Sequence, residues 1–351
     1  MTLAVAASAA IDPVTISSGA TFTTTFSDIK GQSLIGGSGT LQLGSIYTLL
    51  GAPAQVGTAP PGTVPLTITR SGNDIVLTWD KNSAPSVDIY TLTGDGSGVY
   101  SDSGFTVKMG THTSGTLTDT AQVGAGNPEK YYKGVMTGYD SFLLGPEYGN
   151  KTCLQAAQAV GKVNYVFAGG NNFFNYPFAK TDTINTIFGN KAIGQPGTAV
   201  NIASGSRVLA HNYSAGNFEV SELSGTAGTS QWSALTLAPS KGNIFFNAST
   251  NNINVTLVGQ VVPDLSVASS ALGGNNLTGL VYPKGEKITL FSNSKSGDRL
   301  LVQNATGSFD TIDCTGANSW ANGAYALKPT LGYWYYRDPK NGNMTWQQSR
   351  P

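Results

Sequence analysis

An all-β chain of several β-sandwich modules in series, the last two a tandem duplication, is what this sequence predicts, and three observations predict it. The 351 residues include 44 Gly and 16 Pro, with about a fifth Ser plus Thr, a composition that is costly in helix interiors and at home in turns and strands. Short runs alternate apolar and polar residues with period two, the spacing of half-buried strands. Six landmarks recur in one order in the C-terminal half, the mark of an internal repeat.

The chain reads as four parts. Residues 1–60 form an N-terminal arm and β-segment ending in a Pro/Gly linker, 61–140 a first sandwich, 141–262 the first repeat copy and 263–351 the second. At the start, Met1-Thr-Leu-Ala-Val-Ala-Ala-Ser-Ala-Ala10 resembles the apolar half of a secretory signal but has no cation before Lys30. It is expected to be either a signal remnant or an arm pinned by a neighbouring subunit. Thr21-Phe-Thr-Thr-Thr-Phe26 and Thr40-Leu-Gln-Leu43 suit half-exposed strands, and Gly51 to Gly62 is too rich in Pro and Gly for a helix or a central strand.

Pro65–Thr69 and Asp74–Trp79 flank Arg-Ser-Gly-Asn as a hairpin, with Ile75, Leu77 and Trp79 on one face. Val87–Leu92, Gly104–Lys108, Gly115–Asp119 and Lys130–Met136 follow, giving about seven short strands, the count of a small sandwich. With "IVLTW", "VDIYTLTG", "TLTDT" and the paired tyrosines of "EKYYKGVMTG", residues 62–139 resemble a fibronectin type III domain. The loop "AQVGAGNPE" is longer than that family's, and no RGD is present, so the resemblance implies a secreted spacer or binding module without an adhesive site. Thr152–Val160, rich in Ala and Gln, is the one candidate helix.

In the repeat, Gly169-Gly-Asn-Asn, Gly205-Ser-Arg, Gly216-Asn-Phe, Trp232, Leu237-x-Pro-x-x-Gly and Phe245-Phe246 return as Gly273-Gly-Asn-Asn, Gly297-Asp-Arg, Gly307-Ser-Phe, Trp320, Leu327-x-Pro-x-x-Gly and Tyr335-Tyr336. In each copy the Pro-x-x-Gly turn reverses the chain into an aromatic strand. Strand alternation puts Tyr333 and Tyr335 on one face, to fill a core, and Trp334 and Tyr336 on the other, to meet something else. The terminal "GYWYYRDPKNGNMTWQQSRP" resembles the ends of uncharacterised secreted β-rich bacterial proteins, which implies export and no reaction.

Charge narrows the partners. Lys plus Arg equals Asp plus Glu at 20 each, and charged residues are only 11% of the chain, so no basic footprint for nucleic acid exists. No apolar run reaches the roughly 18 residues of a membrane span. Cys153 and Cys314 fit no metal spacing and are either one long-range disulfide or two buried thiols. His112 and His211 stand in isolated settings, and no nucleophile elbow, phosphate loop or dinucleotide fingerprint occurs. The acid pairs Glu219/Glu222 and Asp310/Asp313 and the Asp-rich turn Gly94–Asp102 read as strand and turn positions, so neither catalytic residues, metal nor cofactor is expected. Seven N-x-[ST] sequons, five between 212 and 304, are expected on exposed turns.

The expectation is therefore a non-enzymatic structural protein, secreted or at the cell surface. It would polymerise with other copies of itself into a filament, sheath or layer, with Leu3, Val5, Ile11, Val14 and Ile16 adding as a strand to a neighbour's sheet edge. The alternative is a carbohydrate-binding or adhesive surface protein that lays polysaccharide on Trp232, Trp320, Tyr333 and Trp334. A virion or tail-fibre component is a third reading.

Overall fold

A computed structural model describes residues 62–351 apart from 124–127, 146–147, 180–183, 189–201, 213–216, 226–230 and 265, and, within the first 61 residues, the backbone of four strands. These are β1 (Val14–Ile16), β2 (Thr21–Thr24), β3 (Ile35–Gly37) and β4 (Thr40–Leu43). β1 pairs with β3 and β2 with β4, both in parallel. Val14 and Ile16 thus already have a main-chain partner in their own chain, while Leu3, Val5 and Ile11 lie outside the described residues.

The next strands are β5 (Thr63–Val64), β6 (Thr67–Ser71), β7 (Asp74–Thr78), β8 (Val87–Gly94), β9 (Val107–His112), β10 (Thr116–Asp119) and β11 (Glu129–Met136). The expected hairpin is β6–β7, closed by Gly72-Asn73 with Gly72 at φ 59°, a left-handed conformation glycine adopts without strain. The sheet β10-β7-β6 lies over β9-β8-β11 around a core of Leu66, Ile68, Ile75, Leu77, Trp79, Val87, Ile89 and Tyr132. Alternation had placed Ile75, Leu77 and Trp79 on that inner face, and all three are buried.

Helix α1 (Cys153–Ala156) follows, with Thr152 and Gln155 in a reciprocal capping box. It is shorter than the Thr152–Val160 stretch that suits a helix, because Val160 is drawn into a strand. The chain then builds a unit from β12 (Val160–Phe167), β13 (Gly170–Asn175), α2 (Ile184–Phe188), β14 (Arg207–Asn212), β15 (Asn217–Ser224), β16 (Gln231–Trp232), β17 (Gly242–Asn247) and β18 (Ile253–Gln260). A second unit comprises β19 (Ser266–Ala271), β20 (Gly274–Thr278), β21 (Glu286–Lys287), β22 (Arg299–Gln303), β23 (Phe309–Gly316), β24 (Ser319–Trp320), β25 (Ala326–Leu327), β26 (Tyr333–Arg337) and β27 (Met344–Ser349).

The two units have one topology. Each has a two-stranded ribbon, β12–β18 or β19–β27, and a five-stranded sheet, β13-β17-β14-β15-β16 or β20-β26-β22-β23-β24. The registers correspond: Arg207 lies opposite Phe246 and Glu222, and Arg299 opposite Tyr336 and Asp313.

The parts are joined by main chain as well as by packing. β12 lies beside β11, Val160 to Val163 opposite Tyr132 to Glu129, so β18-β12-β11-β8-β9 is one sheet that crosses the border expected at residue 140. Bridges Val99↔Lys284, Phe174↔Leu331 and Lys241↔Thr278 tie the second unit to the first module and to the first unit. The largest core draws Tyr90, Tyr100, Phe105 and Tyr131 from the first module, Val163, Phe174 and Phe245 from the first unit, and Val281 and Tyr282 from the second. Among the described residues no helix is long and apolar enough to cross a membrane.

Candidate functional site

Register fixes which side chains leave each five-stranded sheet. On β14 and β15, residues directly opposite share a face, so Leu209 with Val220 and His211 with Phe218 point away from buried Val208 and Ser221. On the second unit the same positions hold Leu301 with Thr311 and Gln303 with Phe309, and Trp334 follows on β26. These outward faces meet along an aromatic seam. The Phe173 ring lies 4.9 Å from Phe309, edge to face, and 6.0 Å from Trp334, and Phe218 lies 6.3 Å from Trp334.

Polar groups hold the seam in place. Trp334 Nε1 donates to Asn275 Oδ1 at 2.8 Å. Gln303 reaches across to the neighbouring unit, its Oε1 accepting from Phe173 N at 2.9 Å and its Nε2 donating to Asn171 O at 2.7 Å. At the rim, Phe309 is 40% and Val220 48% exposed. The result is a half-exposed aromatic seam edged by two side-chain amides, with the exposed ion pairs Arg207–Glu222 and Arg299–Asp313 on the same faces.

The residues expected on an aromatic surface divide differently. Trp232, Trp320 and Tyr333 are buried, Trp232 against Phe188 and Trp320 against Phe291 and Tyr335; none offers a flat face to a ligand. Trp334 alone of the four reaches the seam. The surface aromatics Phe173, Phe218 and Phe309 were not singled out as surface residues, although Phe218 and Phe309 are repeat landmarks. For Phe218 and Phe309 the signal was parity, since they lie opposite His211 and Gln303 of the preceding strand; Phe173, opposite Ile244 of the later strand β17, carried no such signal.

Groups that resembled chemistry are tied up in structure. Glu222 and Asp313 pair with arginines, while Glu219 and Asp310 accept from Asn212 and Asn304. The Gly94–Asp102 turn points its amides inward. Gly96, Gly98 and Val99 N–H all donate to buried Glu129 Oε1 at 3.2 Å, the opposite polarity to the oxygen cage a calcium ion needs. Among the described residues no group of three or more His, Cys, Asp or Glu is placed to hold a metal. Cys153 and Cys314 are separate buried thiols, which closes the disulfide alternative; burial pushes Cys153 up to about 11. Two sequon asparagines expected on exposed turns, Asn247 and Asn276, are buried with their amides donating to backbone carbonyls.

The most charged interior site is Asp102, which Lys133 and Lys151 reach at 2.9 Å and Arg350 at 2.8 Å, while Tyr100 Oη donates to it at 2.8 Å. Burial opposes its charge, but Lys133 and Arg350 outweigh burial and hold Asp102 down at about 2. Three cations share this carboxylate, so the most buried of them is under-compensated: burial drives Lys133 down to about 8 against the pull of Asp102. The cluster locks residue 350 onto the first module. No family model matches the chain, and no curated protein matches it.

Proposed function

We propose that this chain is a non-enzymatic extracellular structural protein, a subunit whose copies assemble into a filament, sheath or surface layer. The observation that carries the reading is the junction between β11 and β12, where one unit adds to the sheet of another by main-chain hydrogen bonds. An architecture that already grows by edge addition within the chain is suited to growing between chains. Zero net charge at pH 7 removes long-range repulsion between copies. The two C-terminal units are read as a tandem duplication, supported by their common strand order and registers, and residues 62–139 as a fibronectin type III-like spacer. Negative-stain microscopy of the purified chain should show polymers, and deletion of residues 1–12 should leave folded protein that no longer polymerises. Absence of polymers from the intact chain, or polymers unchanged by the deletion, overturns the reading.

Half-open aromatics beside amides favour a second reading, a carbohydrate-binding surface protein. Trp334, Phe309 and the amides of Asn275 and Gln303 combine an apolar face with hydrogen-bonding groups, the pairing sugar rings require. Saturable polysaccharide binding that Trp334→Ala abolishes would establish it; a pull-down without saturable binding removes it.

A further inference from the structure

In the first unit the ribbon β12–β18 does not end at β12, because β11 continues the sheet. The second unit has the matching ribbon, β19–β27, with Ser266 to Ala271 antiparallel to Ser349 to Met344 in unbroken register. There the sheet stops. Among the described residues, no backbone group of Ser266–Ala271 has a hydrogen-bond partner beyond β27.

An open edge is a template for another strand, and proteins blunt such edges with brevity, lysine, proline, bulges or a covering segment. Several other edges among the described residues carry those devices. β9 has Lys108 and a register break at Ile89/Tyr90; β16 and β24 are two residues long. β13 and β20 are bridged to Leu331 and Lys241, and β18 has its Val258 and Gln260 carbonyls taken by Tyr176 and Ala179. β19 has none of them: its six residues are Ser-Val-Ala-Ser-Ser-Ala, and Ser266, Ala268 and Ser270 are exposed.

We infer that β19 is a docking edge and that its occupant is β19 of a second copy, antiparallel across a two-fold axis. The combined sheet would run β27-β19-β19-β27. Self-pairing is favoured because an uncharged strand of small side chains opposes itself without like-charge repulsion or steric conflict, and a self-complementary patch closes a two-fold dimer. The second unit thereby gains the strand that β11 supplies to the first. The inference stands apart from polymer formation, since it requires only a two-fold contact.

The test uses the full chain in sedimentation equilibrium. Below the concentration at which polymers form, the intact protein should show a reversible monomer–dimer equilibrium, and Ala268→Lys combined with Ser270→Lys should sediment there as monomer with an unchanged melting temperature. Single cysteines at Ser266, Ala268 and Ser270 then map the axis: mild oxidation should link copies through one of them, whereas Thr345→Cys, exposed on β27, should not cross-link. A chain that stays monomeric to about 1 mM, a dimer that survives the double lysine variant, or cross-linking through Thr345→Cys and none of the β19 cysteines overturns the inference.

Discussion

Asp298 and Ser206 occupy matching places and do unequal work. Asp298 accepts from Asp338 N at 3.0 Å and from the guanidinium of buried Arg337, and Tyr335 Oη donates to it at 2.9 Å. Ser206 Oγ keeps only the backbone contact, accepting from Ala248 N at 3.1 Å. Asp298→Ala leaves a buried guanidinium without its counter-ion and should cost about 3–5 kcal/mol. Ser206→Ala removes one neutral hydrogen bond and should cost about 1 kcal/mol; urea denaturation of the two variants checks the contrast. The asparagines, by comparison, match closely. Asn172 bonds Ala168 N and O and Gly170 O, and Asn276 bonds Leu272 N and O and Gly274 O. Their Gly-Gly-Asn-Asn context was visible in the sequence, but the circuit was not, because it closes through backbone geometry.

Titration at single residues gives stability an unusual pH profile. Asp102 and Asp298 both sit below the ordinary carboxylate range, so their stabilisation is present above the ordinary carboxylate range and is lost as pH falls below it, for Asp102 as pH falls through about 2. Burial lowers Lys133 and Lys162 to about 8. Between about pH 8 and 10.4 the unfolded chain then binds protons that the folded chain has released, and stability rises with pH. Buried tyrosines act in reverse. Burial raises Tyr90 and Tyr282 to about 12, so their contribution is present below about pH 10 and is lost as pH climbs through 12. Melting temperature against pH should therefore peak near about pH 10, and a steady decline from pH 7 would contradict this balance.

At the scale of elements, period-two alternation made β6, β7 and β26 legible. Tyr333 and Tyr335 are buried, and Trp334 and Tyr336 are half-buried on the other face. What alternation cannot report is the neighbour of an edge. β12 completes the sheet of the module before it, and Val160, read from the sequence as the end of a helix, enters that module's core. The Pro-x-x-Gly turns also do more than reverse the chain. A Cβ at Gly332 would stand 2.7 Å from Phe174 O in the other unit, so Gly332→Ala must force that junction apart. A loss of about 1–3 kcal/mol is expected, read as a lower urea midpoint, whereas Gly323→Ala, whose Cβ would meet nothing nearer than Trp320 O at 3.9 Å, should lose less.

For the whole molecule, sequence order and spatial order part company. The modules follow one another along the chain, but their largest core is common property, with Tyr100, Val163 and Tyr282 in one cluster. Linker composition marks boundaries where a chain turns, and carries no record of which apolar faces later meet. A shared core predicts one cooperative calorimetric transition for the described body, with calorimetric and van't Hoff enthalpies equal. Separate transitions for the first module and the two units would show that the cores melt independently. The same geometry predicts that residues 62–262 alone, stripped of Val281 and Tyr282, bind a hydrophobic dye that the full chain excludes.

The sheet that runs from β9 through β11 to β18 sets how the first module and the first unit would respond to tension. A flexible linker between modules swivels under tension and lets each module orient separately. A ladder of backbone bonds across that junction transmits torque instead, so the first module and the first unit turn together as a single stiff lever.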